Sequence, residues 1–194
     1  MSAEPRLVLA SASPRRLDLL RQIGLAPDAV EAAELDEAPL PEETPRRLAL
    51  RLAQEKARAV SSRTPDAYVV AADTVVAVGR RVLPKAADGA EVRACVALLS
   101  GRAHRVLTGV AVVAPGGRMA SRLAETRLRF KRLSDAEVDA YVACGEGVGK
   151  AGGYAVQGRA GAFVISLNGS YSSVVGLPLY ETSGLLAGLG FRRP

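Results

Sequence analysis

The chain has no tryptophan, one histidine, two cysteines, three phenylalanines and five tyrosines. Recognition of single-stranded nucleic acid by stacking draws on exposed aromatic rings, and 4% aromatic content supplies few. With His104 alone, and only Cys95 and Cys144 beside it, no Cys/His zinc cluster can be assembled. Two cysteines are also too few for a disulfide scaffold, so they read as plain thiols in a reducing, cytoplasmic setting. No apolar run approaches the roughly 18 residues of a membrane span. The opening stretch, MSAEPRLVLASASPRR, lacks a basic region followed by a long apolar one, so no signal peptide is expected. There is no collagen period, low-complexity tract or internal repeat, and no linker long enough to separate two units.

What is present fits one domain over residues 1–194, with 48% apolar and 24% charged residues. Lys and Arg number 26 against 20 Asp and Glu, a net charge of +6, which points to an anionic partner: nucleic acid, a membrane surface or a small anionic substrate. Only Lys56, Lys85, Lys131 and Lys150 are lysines. Arginine therefore serves wherever a generic positive charge suffices, and each lysine invites scrutiny because the two side chains differ in geometry and hydration.

Patterning predicts alternating strands and helices with a hairpin among them, hence an α/β fold with a mixed central sheet flanked by helices. Leu7 to Ala10 reads as a strand. A helix follows with Ser13 as N-cap and Pro14 at its first position, carrying Leu17, Leu20 and Ile23 at helical spacing and ending at Gly24. Residues 25–43 are acidic and proline-rich, a strand remnant plus a loop. A second helix runs from Thr44-Pro45 to about Val60. Tyr68 to Val78 is an apolar, β-branched run interrupted by Asp73-Thr74. A helix with an Asp88/Glu91 capping box reaches Gly101. Strands at Arg105 to Ala114 and Arg118 to Phe130 flank a Pro115-Gly116-Gly117 turn, and a helix capped by Ser134 and Glu137 reaches about Ala143. The remainder is a glycine-rich segment, a strand from Phe163 to Leu167, an Asn168-Gly169 turn and a last helix after Leu177-Pro178.

Several residues sit where ordinary folding does not explain them. A helix N-terminus favours anions, yet Arg15 and Arg16 occupy the first turn of the first helix. A bound phosphate would turn that liability into a gain, gripped by backbone N–H groups, two guanidiniums and the Ser11 and Ser13 hydroxyls. In the second helix Leu48, Ala49, Leu52, Ala53, Ala57, Ala59 and Val60 form an apolar face, and Lys56 falls in its middle. From there it either snorkels to an edge or meets a buried anion, and its central position favours the anion. Asp73 lies between Val-Val-Ala-Ala and Thr-Val-Val-Ala-Val, where an unpaired carboxylate would cost several kcal/mol, so it must be paired, metal-bound or facing a cleft. Glu37, in an acidic loop, is less distinctive. Brought together, two carboxylates could hold Mg²⁺.

Other motifs fail on context. Gly147-x-Gly149-x-x-Gly152 matches a dinucleotide fingerprint by letter but follows a helix. Gly149-Lys150 resembles the end of a phosphate-binding loop, yet Cys144 stands for its first glycine and Ala151 for its Ser/Thr. His104, flanked by Ala103 and Arg105, suits a structural or surface role.

Ordered blocks along nearly the whole chain resemble the Maf family of nucleoside triphosphate pyrophosphatases. These are Leu9-Ala10-Ser11-Ala12-Ser13-Pro14-Arg15-Arg16, Arg51-Leu52-Ala53-Gln54-Glu55-Lys56-Ala57, Ala72-Asp73-Thr74, Leu99-Ser100-Gly101, Thr108-Gly109-Val110, the run from Lys150 to Gly158, and Gly176-Leu177-Pro178-Leu179. The resemblance implies two lobes around a cleft, related to the Ham1 and ITPase folds, and hydrolysis of a nucleoside triphosphate to the monophosphate and pyrophosphate. It implies catalytic roles for Asp73, Glu37, Lys56 and Lys85, and a divalent cation, Mg²⁺ or Mn²⁺, held by Glu37 and Asp73. Substrate binding falls on Ser11, Ser13, Arg15, Arg16, Thr74 and Gln157. The Ala-Asp-Thr block and Gln157 look like the branch acting on dTTP and UTP. A sister branch prefers 7-methyl-GTP, and that or another modified nucleotide is the alternative substrate. A non-catalytic regulator of division or nucleic-acid-binding module is the rival from another class, disfavoured by the few aromatics. A homodimer is left open. Around Lys85 the family pattern Gly-Lys-Pro becomes Leu83-Pro84-Lys85-Ala86, so the local backbone must differ.

Overall fold

The computed structural model describes residues 5–193, and the first four residues of the stretch read for a signal peptide lie outside them. The strands are β1 (Arg6–Leu9), β2 (Ala29–Val30), β3 (Ala67–Val78), β4 (Arg81–Leu83), β5 (Ala103–Val113), β6 (Met119–Phe130) and β7 (Val164–Asn168). The helices are α1 (Pro14–Gln22), α2 (Pro45–Ser61), α3 (Gly89–Leu99), α4 (Asp135–Cys144), α5 (Tyr171–Val175) and α6 (Leu179–Gly188). Among the described residues seven strands share one mixed sheet in the order β2-β1-β3-β5-β6-β7, with β4 also on β3. β1 runs parallel to β2 and β3, to which the helical crossovers α1 and α2 lead; every other pairing is antiparallel. No helix among the described residues is long and apolar enough to cross a membrane.

The period of two along β3 divides the core. Val70, Ala72 and Val76 point toward the larger cluster, which holds Leu99, Leu128 and Leu186. Val69 and Ala71 meet Ala53, Ala57 and Val60 of α2, and Val75 and Ala77 meet Leu48, Ala49 and Leu52. Asp73 thereby falls on the α2 face and Thr74 on the opposite one. β3 is continuous through both, paired to β5 with Asp73 opposite Gly109 and Thr74 opposite Thr108, rather than interrupted there. The polar pair instead marks a gap along one edge. β1 pairs with β3 up to Val70 and β4 takes over at Val76, so among the described strands none lies beside residues 71–75 on that side.

Other differences are local. Ser13 holds the N-cap position of α1, but its side chain caps nothing. The Ser134–Glu137 box is complete, whereas Asp88 accepts from the Glu91 N–H and the Glu91 carboxylate turns to the Ala87 N–H. The segment 25–43 contributes only the two residues of β2. The last helix is preceded by a separate short one, α5, ended by Gly176 at φ 139°. β4 was not anticipated; it is three residues long, too short for a period to register.

Candidate active site

A cavity of about 250 Å³ opens at the β3 gap. Nine of the ten residues singled out above line it: Ser11, Ser13, Arg15, Arg16, Glu37, Lys56, Thr74, Lys85 and Gln157. Asp73 lies just beneath, 2% exposed, under the Lys56 ammonium.

Lys56 does not snorkel. Its Nζ is 2.5 Å from Asp73 Oδ1 and 2.5 Å from Glu37 Oε1, so one ammonium bridges two carboxylates. α2 can bring it there because the backbone packs directly on β5 at Gly109, where a Cβ would fall 2.2 Å from the Ala49 carbonyl oxygen. The same helix anchors the segment carrying Glu37: Arg51 donates to Glu43 Oε1 at 2.7 Å and to the Ala38 carbonyl at 3.0 Å. Burial alone would raise the Glu37 carboxyl, but hydrogen bonds from Lys56 and Lys85 prevail and hold it at about 2. Glu37, the least distinctive candidate in the sequence, is thus the link between two lysines.

Lys85 reaches Glu37 although its proline neighbour has moved. Its backbone forms an antiparallel bridge with Ala151, and the flanking Ala86 N–H donates to the Lys150 carbonyl at 3.2 Å and Gly152 N–H to that of Pro84 at 2.9 Å. The bridge sets the backbone that carries Lys85. It also requires Gly152 in the left-handed region at φ 67°, packed against Val76.

The start of α1 supplies the opposite wall. Arg16 donates from Nε to the Gly176 carbonyl at 2.7 Å and from Nη1 to Ser11 Oγ at 3.0 Å, and its Nη2 is 3.5 Å from Thr74 Oγ1. Among the described residues no carboxylate is paired with it or with Arg15, and burial lowers both guanidiniums from their ordinary value. Ser13 Oγ is buried without a hydrogen-bond partner. Two unpaired cations, an unpartnered hydroxyl and a helix N-terminus in one wall are the features of a phosphate site.

Lys150 and Tyr154 also line the cavity. Lys150 stood within a family block but without a role; its Nζ donates to the Val148 carbonyl at 3.1 Å. Lys131, the remaining lysine, pairs with Glu137 of the α4 capping box. The Val175 and Gly176 carbonyls that orient the two arginines are backbone groups, with no signature in residue type. His104 is structural: 2% exposed, it hydrogen-bonds the Tyr154 hydroxyl at 2.8 Å and packs edge-on against Phe130.

Residues 6–189 match the family of Maf-like proteins. The chain belongs to the Maf family. A Maf relative, the dTTP/UTP pyrophosphatase of Caulobacter vibrioides, is 67% identical over 192 residues, covering 99% of this chain and all of that one. The dTTP/UTP pyrophosphatase of Maricaulis maris is 63% identical over 187 residues, 96% of this chain and 89% of that one. Among solved structures, the nucleoside-triphosphatase (dITP/XTP pyrophosphatase) of Mycobacterium abscessus aligns with 22% identity and a TM-score of 0.45, covering 66% of this chain and 75% of that one.

Proposed function

We infer that this protein hydrolyses nucleoside triphosphates, dTTP and UTP foremost, to the monophosphate and pyrophosphate, and that the reaction takes place in the β3-edge cavity. The observation that carries the reading is the meeting of the Arg15/Arg16 helix start with the Lys56–Asp73–Glu37–Lys85 cluster in one cavity. The names of close relatives supply the nucleotides.

Without substrate the lysines are neutralised by Glu37 and Asp73. An incoming triphosphate competes for Lys56 and Lys85, and Arg15 and Arg16 offer charge that no carboxylate among the described residues satisfies. Four cations then face the phosphates and offset the charge that builds on the departing pyrophosphate. As the lysines turn to phosphate, Glu37 and Asp73 are left to orient a water toward the α-phosphorus. Held at about 2, Glu37 is anionic throughout the neutral range, which suits orientation and charge more than proton uptake. Gln157, an exposed residue of the cavity lining, would read the base.

Glu37 and Asp73 converge on the Lys56 ammonium, and once a triphosphate draws that ammonium away two hard carboxylate ligands are left that match Mg²⁺ or Mn²⁺. Glu37 and Asp73 would hold the ion, which when bound supplies Lewis-acid polarisation of phosphate oxygens. Nucleic acid has little part in this reading, and a cytoplasmic location belongs to it. The test is a pyrophosphate-release panel over common and modified nucleoside triphosphates with Mg²⁺ and Mn²⁺. Release from dTTP and UTP is expected; release from none would overturn the enzyme reading, and release confined to 7-methyl-GTP would overturn the choice of nucleotide.

A further inference from the structure

Three of the four lysines are held by carboxylates: Lys56 by Asp73 and Glu37, Lys85 by Glu37 and Lys131 by Glu137. Lys150, among the described residues, is paired with none. Its Nζ donates to the Val148 carbonyl of its own turn at 3.1 Å. The backbone beneath it is fixed more firmly than the side chain. Gly149 N–H donates to the Ala86 carbonyl at 2.7 Å, and the Lys150 carbonyl accepts from Ala86 N–H at 3.2 Å and from Gly153 N–H at 2.9 Å. The turn therefore holds a half-buried ammonium in the cavity lining, against a neutral oxygen whose hydrogen bond is weaker than one to an anion.

The charge that faces Lys150 is of its own sign. Burial lowers its ammonium from the ordinary value, and so does the guanidinium of Arg15, which lines the same cavity. Arg15 in turn has its Nε 3.4 Å from the Val175 carbonyl. Two cations from distant segments are thus brought into one cavity, and an anion between them would turn their repulsion into attraction. Glu37 and Asp73, which would orient water toward the α-phosphorus, are paired with Lys56 and Lys85 and not with these two. Arg15 and Lys150 therefore suit the part of the substrate beyond that phosphorus, where most of its charge lies. We propose that Lys150 is a substrate-binding residue that, with Arg15, grips the pyrophosphate half of the triphosphate, exchanging its bond to Val148 for one to phosphate. This rests on the pyrophosphatase reading and deepens it. Arg15 comes from the start of α1 and Lys150 from the turn bridged to Lys85, so one pyrophosphate would join both.

With only four lysines, the wild-type protein itself offers a test. Acylation by a lysine-directed reagent, mapped by peptide mass, is expected to slow at Lys150 at least about fivefold with saturating pyrophosphate and to be unchanged by UMP. Lys131, outside the cavity lining, serves as the internal reference. Lys150→Met is expected to weaken pyrophosphate binding in calorimetry at least about tenfold and UMP binding less than about twofold, and to raise KM for UTP more than it lowers kcat. Lys150→Arg, which keeps the charge, should recover most of the loss. Because Arg15 repels Lys150, ligand-free Lys150→Met should unfold at or above the wild-type temperature; a lower one would mean that the side chain serves the fold. Unchanged pyrophosphate binding in Lys150→Met, or equal weakening of pyrophosphate and UMP, overturns the inference. Full reactivity of wild-type Lys150 with pyrophosphate bound overturns it whether or not the variant folds. These readouts need no turnover, so an absence of pyrophosphate release from UTP and dTTP is a failure of the underlying reading and is told apart from a failure here.

Discussion

The Lys56 ammonium stands 2.5 Å from Asp73 Oδ1, with the two residues 7% and 2% exposed, so an ion pair sits out of water between α2 and the sheet. Burying two charges is unfavourable unless each finds the other, and removing one partner leaves the second stranded.

Lys56→Met is therefore expected to destabilise the fold by about 3–5 kcal/mol. Asp73→Asn leaves Lys56 with Glu37 and should cost less, on the order of 1–3 kcal/mol. Both should abolish pyrophosphate release. Joining Lys56→Met to Asp73→Leu should restore much of the stability and none of the activity. Urea denaturation checks the set; a Lys56→Met midpoint equal to wild type would mean that the pair does not hold the layer together.

Glu37 gives a pH window. Its carboxyl is held at about 2 against an ordinary 4.5, so its stabilising contribution is complete above about pH 4.5 and is lost as pH falls toward 2. Glu37→Gln is expected to lower stability above this window and to converge with wild type within it. Parallel stability curves down to the acid end would contradict the Lys56 and Lys85 pairing.

His104 marks a second window, nearer neutrality. Burial pushes its imidazole down to about 4 from 6.5, so the fold favours the neutral ring; stability is complete above about pH 6.5 and declines as pH falls through 4. His104→Gln should flatten that decline while pyrophosphate release at neutral pH is largely retained, since His104 lies outside the cavity wall. Loss of turnover in a folded variant would assign His104 to the site.

Gly109→Ala tests how α2 is seated. The new methyl would meet the Ala49 carbonyl, which belongs to backbone and cannot swing aside, so the helix must lift. A destabilisation of about 1–3 kcal/mol is expected. Turnover should fall further than stability, because Lys56 rides on the same helix. Activity measured well below the unfolding midpoint separates the two.

Some features were legible because burial makes them anomalous. Lys56 in an apolar stripe, Asp73 in an apolar strand and two arginines in a first helical turn each break a local rule; Lys56 and Asp73 meet as a buried ion pair, and Arg15 and Arg16 line the same cavity. The mixed sheet and most element positions followed from period and caps. Glu37 resembled any solvated acidic loop residue until Arg51 and the lysines showed what holds it.

Periodicity, capping and misplaced charge are properties of neighbours within a few residues, and the chain alone could declare them. Pairing belongs to topology. That Lys56 meets Asp73 and Glu37, and that Lys85 reaches the same carboxylate through Ala151, both join residues distant in sequence. Such contacts exist only after the sheet has chosen its strand order and left the edge of β3 open between β1 and β4.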